Sequence, residues 1–222
     1  MPRRIWFITE LDSPDLSLMQ DNSSLARRVR LALADRSIVM VGMMGCGKSA
    51  IGKRLSNILE LRFVDADDEI EKAAGMSIND IFAQFGEGHF RDGERRVIAR
   101  LLASGPQVLS TGGGAFMSEE TRHLVKERGI SVWLRAELPI LMRRVMRRDN
   151  RPLLKTPNPE GRMRELLEIR NPIYALADIS VESREVAHDI IVGEILTNLA
   201  QGPLHLPDPA SASELPPKRP AT

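Results

Sequence analysis

A single cysteine, Cys46, is present in 222 residues, so the chain can hold no internal disulfide and no four-cysteine zinc site. No apolar run approaches the roughly 18 residues that a membrane helix needs. The opening stretch from Met1 to Asp15 has too short an apolar core for a secretory leader, and acidic residues follow at once. Nor does one sign of charge dominate: 31 Lys and Arg stand against 30 Asp and Glu. A general polyanion binder would lean much further towards basic, so nucleic acid is not an expected partner. Any phosphate chemistry must rest on local clusters rather than a global field. These absences point to a soluble protein of a reducing compartment, the cytoplasm. With 42% apolar residues, the chain still has enough to build a core.

Composition divides the chain into three. Residues 1–36 read as an extension with a polar middle, ending in a short helix on which Leu25, Val29 and Leu33 share a face. Residues 202–222 carry six of the 14 prolines, which excludes a helix or a central strand and predicts a disordered tail. Between them, residues 37–201 alternate apolar runs (SIVMVG, LRFVDA, QVLSTG, ISVWLR, DISVES) with stretches of helical period. Strand, helix, strand repeated five times predicts a doubly wound α/β domain: a five-stranded parallel sheet with helices on both faces, in three layers. The ligand site is then expected at the carboxyl ends of the strands.

Directly after the first run comes GMMGCGKS, with Gly42, Gly47, Lys48 and Ser49 in Walker A spacing between a strand and a helix. Backbone N–H groups of Gly45, Cys46, Gly47 and the helix start through Ala50 would cradle phosphates at the positive end of the helix. Lys48 would bridge the β- and γ-phosphates, and Ser49 would offer its hydroxyl to Mg²⁺. Cys46 reads as a small filler, since phosphoryl transfer needs no thiol. Two further absences narrow the class. There is no Asn-Lys-x-Asp sequence to read guanine, and the third strand ends in Ser110-Thr111 rather than the acid of a motor ATPase.

Acids appear instead at the end of the second strand, in FVDADDEI. On an extended segment Asp65 and Asp67 would point the same way, one for the water shell of Mg²⁺ and one for the attacking hydroxyl. Asp68 would face away and cap the next helix. Arg91, in GEGHFRDGERRV, sits against the dipole of a helix start and needs another reason to be there. Arg95 and Arg96 read as surface charges, and His89 receives no role. Gly112, Gly113 and Gly114, just beyond the third strand, mean that backbone must approach something closely. The segment RRVMRRDNRPLLKTPNPEGR has the composition of a lid, over about 149–162, that could carry Arg151 to the γ-phosphate. Arg170, near a helix end in EIRNPIY, reads equally well as a dipole-compensating surface residue.

Taken together, GMMGCGKS, FVDAD, the FR pair, GGGA, RPLL and RNPIY resemble the shikimate kinase family, from about Ser37 to Leu199. The resemblance implies a P-loop fold of the nucleoside monophosphate kinase type and transfer of phosphate from ATP to the 3-hydroxyl of shikimate. It implies that Asp67 holds the ring hydroxyls, that Arg91 and Arg170 grip the carboxylate, and that Gly112 to Gly114 line the same pocket. It matches Asp65 to the position ordering Mg²⁺ waters, Arg151 to the lid arginine, and Arg144 to a nucleotide contact. The adenine-contacting stretch is expected near Ser183 to Val186, and a monomer is expected. Whether Asp67 removes the proton or only positions the hydroxyl stays open. Two other acceptors, gluconate and a nucleoside monophosphate, and a non-catalytic nucleotide sensor are the rival readings.

Overall fold

The computed structural model describes residues 16–147 and 156–207. Five strands form one parallel sheet: β1 (Ser37–Val41), β2 (Arg62–Asp65), β3 (Gln107–Ser110), β4 (Gly129–Arg135) and β5 (Ile179–Glu182). Their order is β2-β3-β1-β4-β5, and each coincides to within two residues with one of the apolar runs.

The sheet is covered on both sides, which is why β1 is apolar without alternation and buried throughout. Ile38 and Met40 face one half of the core, Val39 and Val41 the other. The first half packs under α1 (Leu16–Leu33), α2 (Lys48–Ile58) and α8 (His188–Gln201). It also takes in Leu141 and Val145 from α6 (Leu138–Val145) and Met163 and Leu166 from α7 (Pro159–Tyr174). The second half packs under α3 (Ala66–Ala74), α4 (Ile78–Ala103) and α5 (Glu119–Arg128). The three-layer expectation holds.

Two elements differ from the reading of the sequence. The helix before β1 starts at Leu16, well ahead of the stretch expected, and buries Ala26, Val29 and Leu33 in the first half-core against α8. Ser, Asn and Asp in its early turns masked the helical period. At the other end, residues 159–162 were placed in a lid on composition, but they begin α7. Asn158 caps that helix by accepting from Gly161 N–H at 2.9 Å, and Pro159 follows at the first helical position. The start of the tail expected from residue 202 is also ordered: Leu204 and Leu206 pack against the first half-core, their N–H groups donating to the Leu199 carbonyl at 3.0 Å and the Ala200 carbonyl at 2.7 Å. Residues 149–155 of the expected lid, Arg151 among them, the rest of the tail from residue 208 and the extension before residue 16 lie outside the described residues.

The connection after β1 runs past β3 to β2, whereas the connection after β3 runs past β1 to β4. The chain thus leaves these neighbouring strands in opposite directions and opens a crevice above their carboxyl ends.

Candidate active site

The loop after β1 fills that crevice. Gly42, Gly45 and Gly47 adopt φ of 134°, 83° and 99°, a region other residues avoid. A Cβ on Gly42 would stand 2.6 Å from the Leu134 carbonyl oxygen. Gly47 caps α2 in a left-handed conformation and supplies no side-chain acceptor, so the first N–H groups of α2 are left for a ligand anion. Lys48 Nζ folds back over the loop, donating to the carbonyls of Gly42 at 2.8 Å and Met43 at 3.1 Å. Cys46 is fully buried, in keeping with a filler role.

Beside the loop, Ser49 Oγ donates to Asp65 Oδ2 at 2.7 Å, and Ser110 Oγ lies 3.5 Å from Ser49 Oγ. The two acids are not a pair on an extended segment. Asp65 ends β2 and caps α3, its Oδ1 accepting from Asp67 N–H at 3.2 Å, while Asp67 stands in the first helical turn. Asp68 therefore does not cap α3, because Asp65 has taken that place. Asp65 and Asp67 nevertheless line one cavity of about 350 Å³ together with Lys48, Ser49, Gly112 and Gly113. The turn from strand into helix achieves what pleating alone was expected to do.

The glycine run after β3 organises the far end of this cavity. A Cβ on Gly112 would meet Asp67 Oδ1 at 2.8 Å and Glu94 Oε1 at 2.9 Å. One on Gly113 would lie 3.4 Å from Arg170 Nη1, and one on Gly114 would lie 2.5 Å from Arg91 Nη1. Gly112 thus makes room for Asp67 and Glu94 and Gly114 for Arg91, the need being for space rather than for unusual φ, whereas a Cβ on Gly113 would only reach ordinary contact with Arg170. Arg170 Nη1 also donates to the Gly113 carbonyl at 3.3 Å. Arg91 lies in the part of α4 beyond a break at Gly86 (φ 78°, ψ 173°), which re-aims the chain just ahead of it. Its guanidinium is held by Glu87 at 3.0 Å and by Glu94 at 2.7 Å.

Glu94 and Tyr174 had no place in the sequence reading. Glu94 is 2% exposed, and its Oε1 has no hydrogen-bond partner among the described residues. Burial pushes its carboxyl above the ordinary range, against the pull of Arg91. The Tyr174 hydroxyl donates to the Gly113 carbonyl, and burial raises its phenol far above the usual value, so it stays a donor. Their spacing was the available signal: Glu94 is three residues after Arg91, and Tyr174 four after Arg170.

At the opposite end, Arg144 Nη1 donates to Ser183 Oγ at 2.8 Å and to the Gly45 carbonyl at 3.4 Å. It is thereby tied both to the phosphate loop and to the stretch expected near adenine. Arg143 pairs instead with Glu185 at 3.1 Å. Arg147 and His188 line the cavity too and were not singled out. Burial, with Arg54 and Arg144 nearby, lowers the His188 pKa below its ordinary value. Arg95 bridges Asp92 and Glu120 at the surface, and Arg96 and His89 are exposed, as expected of them.

This sheet order and phosphate loop define a P-loop phosphotransfer domain of the nucleoside monophosphate kinase type. A family profile described as Shikimate kinase matches residues 44–200. The shikimate kinase of Bradyrhizobium diazoefficiens is 59% identical over 168 residues, covering 76% of this chain and 81% of its own. That of Rhodopseudomonas palustris is 56% identical, covering 76% and 83%. Among solved structures, shikimate kinase from Acinetobacter baumannii in complex with shikimate superposes with a TM-score of 0.73 at 37% identity, over 78% of this chain and 97% of that one. The enzyme from Aquifex aeolicus gives a TM-score of 0.64 at 38% identity, over 73% and 95%. The chain belongs to the shikimate kinase family and is an ATP-using kinase.

Proposed function

We propose that the chain transfers the γ-phosphate of ATP to the 3-hydroxyl of shikimate, giving shikimate 3-phosphate and ADP in the route to chorismate and the aromatic amino acids. One observation supports the assignment of roles: Asp67, Gly112 and Gly113 line the cavity beside the phosphate loop, and the same glycine run brings Arg170 close to Gly113 and Arg91 close to Gly114 at its edge. Two guanidinium groups suit a carboxylate, because each offers a planar fork of donors. A carboxylate suits vicinal hydroxyls. The acceptor is thus an acid at one end and a polyol at the other.

Asp67 orients the attacking hydroxyl and receives its hydrogen bond. Lys48 and the N–H groups from Gly45 to Ala50 hold the phosphates, with Arg144 towards the base and Arg151 reaching the γ-phosphate from the lid. Ser49 and Asp65 present two adjacent oxygens towards the loop, a donor set that fits Mg²⁺ with its water shell. Mg²⁺, when bound with the nucleotide, offsets the negative charge of the phosphates. Because the transition state is loose, alignment and charge complementarity contribute more than base strength. The same reading makes the protein a cytoplasmic monomer, with no membrane or nucleic acid partner. No described helix is long and apolar enough to cross a membrane.

ADP release measured with shikimate, gluconate and nucleoside monophosphates tests the acceptor. Turnover with shikimate and little with the others is expected. Preference for gluconate or a nucleotide would refute the assignment, and ATP binding without acceptor-dependent ADP release would reduce the protein to a nucleotide sensor.

A further inference from the structure

A second cavity, of about 400 Å³, opens between α3 and α4 and shares no lining residue with the catalytic cleft. Ile70 and Ala73 of α3 and Ile81, Phe90 and Val97 of α4 make its walls apolar. Phe85, 52% exposed, lines it beside His89, their ring centroids 4.9 Å apart. Size and lining are those of a small-molecule pocket, too small for a folded segment.

Two features of α4 go beyond an accidental gap. Arg91, Arg95 and Arg100 each have an acidic partner, whereas Arg96, which lines the cavity, has none among the described residues. Gly93 also lines it, mid-helix, and a Cβ there would meet nothing within 4 Å. Glycine at such a position costs helix stability relative to alanine, and neither packing nor backbone conformation requires it. Its lack of a side chain leaves the cavity open.

We propose that the α3–α4 cavity binds a small molecule with an apolar, ring-sized body and a carboxylate. The body lies over Gly93 between the two helices, and the carboxylate meets Arg96. A free small molecule is the fitting occupant, since one unpaired cation at the rim of a small, half-open apolar space matches one anionic head on one apolar body.

Saturation-transfer NMR with 3-phenylpropionate, in the presence of excess shikimate to keep the catalytic cleft filled, tests this. Binding with Kd on the order of millimolar is expected for a ligand of this size. Arg96→Gln should weaken it about tenfold, and Gly93→Leu, which fills the space, should abolish it. The neutral 3-phenylpropionamide should bind distinctly more weakly. Thermal melting of both variants separates loss of the site from loss of the fold, and Arg96→Gln carries the test if Gly93→Leu does not fold. Displacement of the probe by shikimate, equal binding of the amide, or unchanged binding to Arg96→Gln would overturn the proposal without touching the assignment of the catalytic cleft.

Discussion

Gly114→Ala isolates the part played by the acceptor end of the cleft. Gly114 has φ −97° and ψ −17°, which alanine adopts without strain. The new Cβ would stand 2.5–2.7 Å from three guanidinium atoms of Arg91. Ordinary contact needs 3.5 Å or more, so the guanidinium must withdraw by about 1 Å. Arg91 is the end of a long side chain and can move, so the fold should survive. Replacing glycine by alanine at a compatible position should even add about 0.4–1 kcal/mol by narrowing the unfolded ensemble. The displaced guanidinium can no longer meet the substrate carboxylate squarely. Losing one charge-assisted hydrogen bond costs about 1.5–3 kcal/mol, which corresponds to roughly 10–150-fold in affinity. Coupled ADP-release kinetics should therefore show KM for shikimate raised by that factor, KM for ATP nearly constant, and Tm unchanged or slightly higher. An unchanged KM for shikimate in a folded variant would remove Arg91 from the acceptor site. A rise confined to KM for ATP would mean that the two ends of the cleft are reversed.

Three more predictions probe the surrounding supports. Tyr174→Phe deletes the donor to the Gly113 carbonyl; about 1 kcal/mol lost should lower Tm by roughly 2–4 °C and raise KM for shikimate a few-fold, and an unaltered KM would limit Tyr174 to packing. Glu94, whose pKa is raised by burial above the ordinary 4.5, contributes stability below that value and loses it as pH rises through its folded-state pKa. The Tm of Glu94→Gln relative to the parent should accordingly climb from pH 4.5 upward, and a flat difference would show that Glu94 titrates normally. Ser49→Ala removes an oxygen beside Asp65, so the Mg²⁺ concentration for half-maximal turnover should rise about tenfold, whereas an unchanged titration would exclude Ser49 from the metal shell.

The inner strands β1, β3 and β4 were legible because parallel strands covered on both faces are short, nearly continuous buried runs, and the loop between β1 and α2 was legible because its glycine spacing serves a local backbone conformation. Where β2 turns into α3 was not legible. Asp65 competes for the N-cap that Asp68 was given, and a one-residue difference decides whether Asp67 belongs to a strand or a helix. Glu94 was hidden for another reason: an acid three residues from an arginine usually marks a solvated helix face, and only the glycine run packed over it makes it buried.

From the amino-acid order alone came the sheet, the phosphate loop and the kinds of side chain that meet an anionic alcohol, because each depends on neighbours a few residues apart. Which charges face each other depended on the crossovers. They carry α4, the turn after β3 and α7 to one end of the sheet, so that Gly112, Gly113 and Gly114 each lie against a different group from a distant part of the chain. Close approach between segments separated by tens of residues is a property of packing, and no local pattern encodes it.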